Sequence, residues 1–131
     1  MTQAYAQNGL IVTEIMISPR PGSLPLEEYI EIYNHGSSVV SLKDIQLRVS
    51  GQAIPLPDHY LAPKQYMLLV AAPHAALFDH LGNVLGLSPW WALSNTEGSI
   101  ALVDRHDIVL HQSVMPRLGI EIRQNEELVI A

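Results

Sequence analysis

The chain has 131 residues, a formal charge of -6 at neutral pH and no cysteine. Its length predicts one hydrophobic core, and a hydrophobic content of 48% excludes a disordered chain. The seven lysine and arginine residues are scattered singly, which excludes the concentrated positive charge of nucleic-acid and anionic-membrane binders. Without cysteine there are no disulfides and no thiolate zinc sites.

The N-terminus carries one indication of the cellular compartment. Ala4-Tyr5-Ala6 has the small-x-small pattern that precedes a signal-peptidase cut, but the charged and apolar regions of a signal peptide are missing. We interpret residues 1–9 as a disordered tail or a signal-peptide remnant, and an ordinary polar tail explains them equally well. The apolar runs are far shorter than the roughly 20 residues of a membrane-spanning helix, so no membrane insertion is expected.

The first part of the chain alternates short apolar segments with turn residues. Strands are predicted over 10–18, 28–33 and 45–49 because these segments are rich in β-branched residues or alternate apolar with polar side chains. Turns are predicted after the first two strands, at Pro19-Arg20-Pro21-Gly22 and at Asn34-His35-Gly36.

The middle of the chain predicts an edge strand, a buried strand and a helix. The strand over 53–56 should lie at an edge, since Pro55 and Pro57 cannot donate to a sheet. The continuous apolar run 66–71 predicts a strand buried on both faces. Residues 74–81 predict a helix of about two turns that ends at Gly82-Asn83.

The last part of the chain predicts further strands over 99–103 and 108–112, joined as a hairpin. Segments 121–123 and 128–130 are candidate final strands, and residues 116–131 are interpreted as final strands or as a linker to a following domain. Many short strands with one brief helix favour an all-β, immunoglobulin-like sandwich over residues 10–115.

Four stretches in order resemble one known family. The strongest is Glu28-Tyr29-Ile30-Glu31-Ile32-Tyr33-Asn34, which is similar to a Glu-aromatic-Ile-Glu-Leu-x-Asn strand; the others span 11–16, 40–47 and 93–102. This pattern resembles the lamin tail domain, an immunoglobulin-like module of nuclear lamins and of many bacterial secreted and surface proteins. The chain departs from the pattern at Tyr29, where tryptophan is frequent, and at Asp44-Ile45, where Gly-Trp is common.

Glu14 and Glu31 are the most distinctive carboxylates, because each interrupts an apolar strand. Buried close together, they could form an acid/base pair with shifted pKa values. The alternative, which the resemblance to a non-enzymatic family favours, is that each carboxylate accepts hydrogen bonds from strand or loop N–H groups and fixes the fold.

Trp90 and Trp91 are the best candidates for a binding surface, either as a platform for sugar rings or as an aromatic anchor at a protein interface. Two adjacent side chains on an extended backbone point to opposite faces. We therefore expect one ring to be exposed or covered by the predicted helix, with packing under that helix as the alternative to a binding role.

No metal site is predicted. The six histidines do not follow the His-Glu-x-x-His spacing. Asp104 and Asp107, with Asp58 or Asp79, could offer oxygen ligands to calcium, but the spacing of a calcium-binding loop is missing and a solvated hairpin turn is the better explanation of these acids. No catalytic residue and no cofactor are expected, since neither a nucleophile elbow nor a phosphate loop is present.

The resemblance implies a noncatalytic interaction or structural module within a larger bacterial protein that is exported to the periplasm, the cell surface or the medium. Its partner is expected to be a protein. Two alternatives remain: a carbohydrate-binding or calcium-assisted adhesion module, and an accessory domain of a secreted hydrolase or nuclease. An exposed tryptophan beside polar groups would favour the carbohydrate-binding alternative.

Overall fold

The computed structural model describes residues 9–17, 28–93, 98–115, 121–124 and 127–130, and the backbone alone from residue 114 onward. The Ala4-Tyr5-Ala6 pattern and the predicted turn after the first strand lie outside these ranges, as does part of the 93–102 stretch.

Twelve strands and a 3-10 helix are found in this part of the chain. They are β1 (Leu10–Ile17), β2 (Tyr29–Asn34), β3 (Val40–Ser41), β4 (Gln46–Val49), β5 (Gln52–Pro55), β6 (Tyr60–Leu61), β7 (Tyr66–Ala71), the 3-10 helix (Ala72–Leu81), β8 (Val84–Leu87), β9 (Gly98–Val103), β10 (Val109–Met115), β11 (Glu121–Gln124) and β12 (Glu127–Ile130).

The strands form two main sheets. The large sheet has the order β12-β11-β1-β2-β7-β8, and the small sheet has the order β10-β9-β4-β5. Pairing is antiparallel except between β1 and β11 and between β7 and β8. Strands β3 and β6 pair separately. The predicted all-β sandwich is confirmed.

The interior lies between the two main sheets and is built from alternate residues of their strands. Ile15, Ile30, Leu47, Leu69 and Ile100 are among its fully buried members. Burying a side chain of this size stabilises the fold by about 1.5–3 kcal/mol. The period-2 pattern of the predicted strands is explained by this arrangement, since one side of each strand faces the other sheet.

The outer face of the large sheet is covered in part by the 3-10 helix. Tyr29 contacts Phe78 of the helix edge-to-face, with ring centroids 6.0 Å apart, and Leu68 and Val70 complete this second apolar cluster. The helix can lie close to β8 because Gly86 has no side chain. A Cβ atom at that position would be 2.9 Å from the Cα of Ala72.

The predicted elements need correction at the helix and at three strands. The helix begins at Ala72, two residues earlier than predicted, and is a 3-10 helix without a side-chain cap at its start. Strands β3, β6 and β8 were not predicted, because β3 and β6 have only two residues each and Gly86 interrupts the apolar pattern of β8. The remaining predicted strands are present with small shifts at their ends, and β7 has the predicted bounds.

Candidate functional site

Glu14 and Glu31 lie side by side on the outer face of the large sheet. They are paired residues of β1 and β2, and a bulge at Thr13 lies between the pairs Val12–Ile32 and Glu14–Glu31. Without the extra residue, Glu14 would point into the core and Ile15 would point away from it. The bulge therefore places the carboxylate outside while Ile15 stays fully buried.

Each of these carboxylates accepts a hydrogen bond from a hydroxyl group. The Tyr29 hydroxyl donates to Glu14 Oε1 at 2.7 Å, and the Thr13 hydroxyl donates to Glu31 Oε1 at 2.9 Å. Each hydrogen bond joins a side chain of β1 to a side chain of β2, so both contacts fix the two strands to each other. These hydroxyl donors come in addition to the backbone N–H groups that the sequence predicts as partners, and that prediction stays open.

A depression of about 280 Å³ lies above the two carboxylates. Its described lining combines Glu14, Glu31 and Asn83 with apolar and aromatic residues, including Tyr66 and Leu81, which are about half exposed. Tyr66 stacks on Tyr33 with ring centroids 4.2 Å apart. The described lining holds no serine, histidine or lysine, and the hydroxyl groups beside the acid pair, those of Tyr29 and Thr13, donate to the carboxylates.

A third carboxylate, Glu28, is more buried than either and was not singled out in the sequence. Its side chain is 3% exposed, and its Oε1 accepts hydrogen bonds from Trp90 Nε1 and from the backbone N–H of Leu93, both at 3.1 Å. Glu28 thus holds a loop through a backbone N–H group, which is the kind of contact that the sequence predicts for Glu14 and Glu31. In the sequence, the sign of this role is that Glu28 is the first residue of the strand motif that ends at Asn34.

Trp90 and Trp91 lie in the loop after β8 and hold the two sheets together at one end of the sandwich. Both rings are half-buried and pack against the main interior cluster, not under the helix. The indole N–H of Trp90 donates to Glu28 at the start of β2, and that of Trp91 donates to the carbonyl oxygen of Ala53 in β5 at 3.3 Å.

The expectation that one of these rings is exposed or covered by the helix is therefore wrong. Strand alternation does not apply to the two tryptophans, because they lie in a loop outside any strand. Both indole N–H groups donate to acceptors within the fold.

The turn between β9 and β10 holds Asp104 and Asp107 through contacts within the protein. Asp104 Oδ1 accepts from the backbone N–H groups of His106, at 2.8 Å, and of Ile108, at 3.0 Å. The Ile108 N–H, with a smaller contribution from that of His106, lowers the pKa of the Asp104 carboxyl below its ordinary value of 3.8. Asp107 forms an ion pair with Arg48. These contacts explain both acids as parts of a structured turn.

The described residues contain no group of three or more side chains that could hold a metal ion. The helix of this part of the chain is also not long and apolar enough to cross a membrane.

A family described as Lamin Tail Domain matches residues 3–115, which is most of the chain and includes all the contacts described above except those beyond β10. No curated protein matches the chain.

Proposed function

The chain belongs to the lamin tail domain family, whose modules are immunoglobulin-like and non-enzymatic, and on that premise we propose that it attaches a larger protein to a protein partner. The module acts passively: a rigid sandwich presents a fixed surface, and the chemistry of the host protein takes place elsewhere.

One observation carries this proposal: the side chains that could do chemistry hold the fold together. Glu14 binds the Tyr29 hydroxyl, Glu28 binds two N–H groups of the loop that follows β8, and Asp104 binds two N–H groups of its own turn. A catalytic acid or base has to contact a substrate in a cleft with a nucleophile or a binding group nearby. Groups used in this way favour a scaffold over an enzyme.

The test uses the full-length host protein with and without residues 10–115. In cells that produce the intact host protein, chemical cross-linking should capture a partner protein. We expect this partner to be missing from the cross-linked products when the module is deleted. The same protein, once purified, should bind this chain directly with micromolar or tighter affinity by calorimetry. A partner that stays bound to the deleted host would contradict the proposal.

We also propose that the host protein is bacterial and exported, to the periplasm, the surface or the medium. The family resemblance and the Ala4-Tyr5-Ala6 pattern support this location. Fractionation of cells that express the tagged full-length protein tests it, and a host found entirely in the cytoplasm would contradict it.

A further inference from the structure

β8 is an edge strand of the large sheet. Among the described residues it pairs with β7 on one side and with no strand on the other. Val84, Leu85 and Gly86 are half-buried, whereas β7 from Met67 onward is buried. This difference arises because β7 has neighbours on both sides.

The backbone register shows which groups of β8 point away from the sheet. The Leu68 N–H donates to the carbonyl oxygen of Asn83 at 3.0 Å, so Asn83 directs its main chain toward β7. Main-chain groups alternate in direction along a strand. The N–H and C=O groups of Val84 and Gly86 therefore point outward, as an open template for another strand.

The edges of the small sheet carry devices that hinder strand addition, whereas β8 does not. β5 contains Pro55 and is followed by Pro57, and its Ala53 carbonyl already accepts from an indole N–H. β10 has a bulge between Val109 and His111. The sequence of β8 is Val-Leu-Gly-Leu, with neither a charge nor a proline to repel a neighbour.

The surroundings of β8 determine what kind of segment fits. On the outer face Ala72, the first residue of the 3-10 helix, lies directly over Gly86. On the inner face Leu85 is partly buried against the main interior cluster. A strand added here would lie beside apolar surface on the Leu85 side and near the backbone of the helix on the other.

We propose that β8 is the docking edge for an extended, uncharged, apolar segment of a partner protein, which pairs with the main-chain groups of Val84 and Gly86. This inference rests on the proposed function and names the surface through which attachment occurs. A second copy of the chain is not the occupant. Four residues span about 13 Å, and such a short edge cannot bury the roughly 1,200 Å² of a stable interface between two folded domains.

The experiment uses a phage library of ten-residue linear peptides, selected on this chain, and three forms of the protein. Val84→Pro removes an outward N–H but keeps the pairing of β8 with β7, and Val84→Ala trims the same side chain but keeps the N–H. Affinities for the selected peptides are measured by fluorescence anisotropy. We expect Val84→Ala to bind within about threefold of the wild type and Val84→Pro to bind at least about tenfold more weakly.

Amide hydrogen exchange supplies a readout that needs no variant. In the free protein we expect fast exchange at Val84 and Gly86 and slow exchange at Leu85 and Leu87, whose main chains face β7. A bound peptide should slow exchange at the first two. This measurement decides the question even if Val84→Pro fails to fold.

Four results would overturn the inference: selection of no peptide, equal binding of the selected peptides by Val84→Pro, slow exchange of Val84 and Gly86 in the free protein, or a dimer that protects these two amides. None of them bears on the loss of the cellular partner after deletion of residues 10–115, so failure of the docking edge is distinguishable from failure of the proposed function.

Discussion

Glu28 illustrates how one buried carboxylate holds a distant loop in this molecule. Its partners, Trp90 and Leu93, are 62 and 65 positions away in sequence. The carboxylate satisfies two N–H groups at once, one from an indole and one from the backbone. A buried donor that loses its acceptor costs more than the bond itself contributes, because it has also lost its water.

Replacement of Glu28 by alanine is therefore expected to lower the free energy of unfolding by about 2–3 kcal/mol. Glu28→Gln keeps an oxygen acceptor of the same reach and should cost about half as much. Urea denaturation followed by tryptophan fluorescence measures both variants. Equal losses for alanine and glutamine would show that the acceptor oxygen contributes nothing.

Asp104 gives a pH dependence whose sign follows from its hydrogen bonds. Because the N–H groups of Ile108 and His106 lower the pKa of this carboxyl in the folded state, its contribution to stability is complete above the unfolded value of 3.8. That contribution is lost as the pH falls from 3.8 through the lower folded pKa. Carboxyl carbon NMR should find a midpoint below 3.8 for Asp104.

Asp104→Asn keeps an acceptor but removes the charge. The stability difference between this variant and the wild type should be constant near neutral pH and shrink only in acid. A midpoint at or above the ordinary value, or a difference that does not change with pH, would count against the proposed role of the two N–H groups.

At the scale of elements, the contact between the 3-10 helix and β8 depends on Gly86. In an open strand, replacing glycine by alanine stabilises by about 0.5–1 kcal/mol. Here the added Cβ would meet the Cα of Ala72 at 2.9 Å, and backbone cannot move aside as a flexible side chain can. We expect Gly86→Ala to destabilise by about 1–3 kcal/mol, measured by thermal and urea unfolding.

Ala72→Gly supplies the matched control for this clash. It removes the Cβ of Ala72, 3.3 Å from the added atom, but leaves the nearer Cα in place. Once the stability loss of Ala72→Gly alone is subtracted, the double variant should therefore lose as much stability as Gly86→Ala alone. Full rescue would place the conflict at the side chain instead of the backbone.

Most elements of the fold could be predicted from sequence because their signals are local. Residues 66–71 form an uninterrupted apolar run, and β7 has those bounds. β8 could not be predicted in this way, since its place depends on pairing with β7 and on the helix above Gly86. The proximity of Glu14 and Glu31 is similarly nonlocal, because it depends on a bulge at Thr13 that no turn residue announces.

At the scale of the whole molecule, side-chain contacts join the two sheets at separate places. Trp90 and Trp91 connect the loop after β8 to a strand start in the large sheet and to β5 in the small one. His111 of β10 contacts β1, where its Nδ1 accepts from the Val12 N–H at 3.0 Å. The sandwich thus combines apolar packing between sheets with hydrogen bonds that fix their relative position.

The His111 contact yields a prediction about the sandwich as a unit. Val12 is 3% exposed, so without an acceptor its N–H would be buried and unsatisfied. His111→Ala is expected to lower the free energy of unfolding by about 1–3 kcal/mol and to speed amide exchange at Val12.

His111→Asn places a side-chain oxygen near the original Nδ1 position and should recover part of both effects. His59→Ala, at an exposed position, should change neither stability nor exchange. If His111→Ala resembles His59→Ala, the two sheets are held in place by apolar packing without this bond.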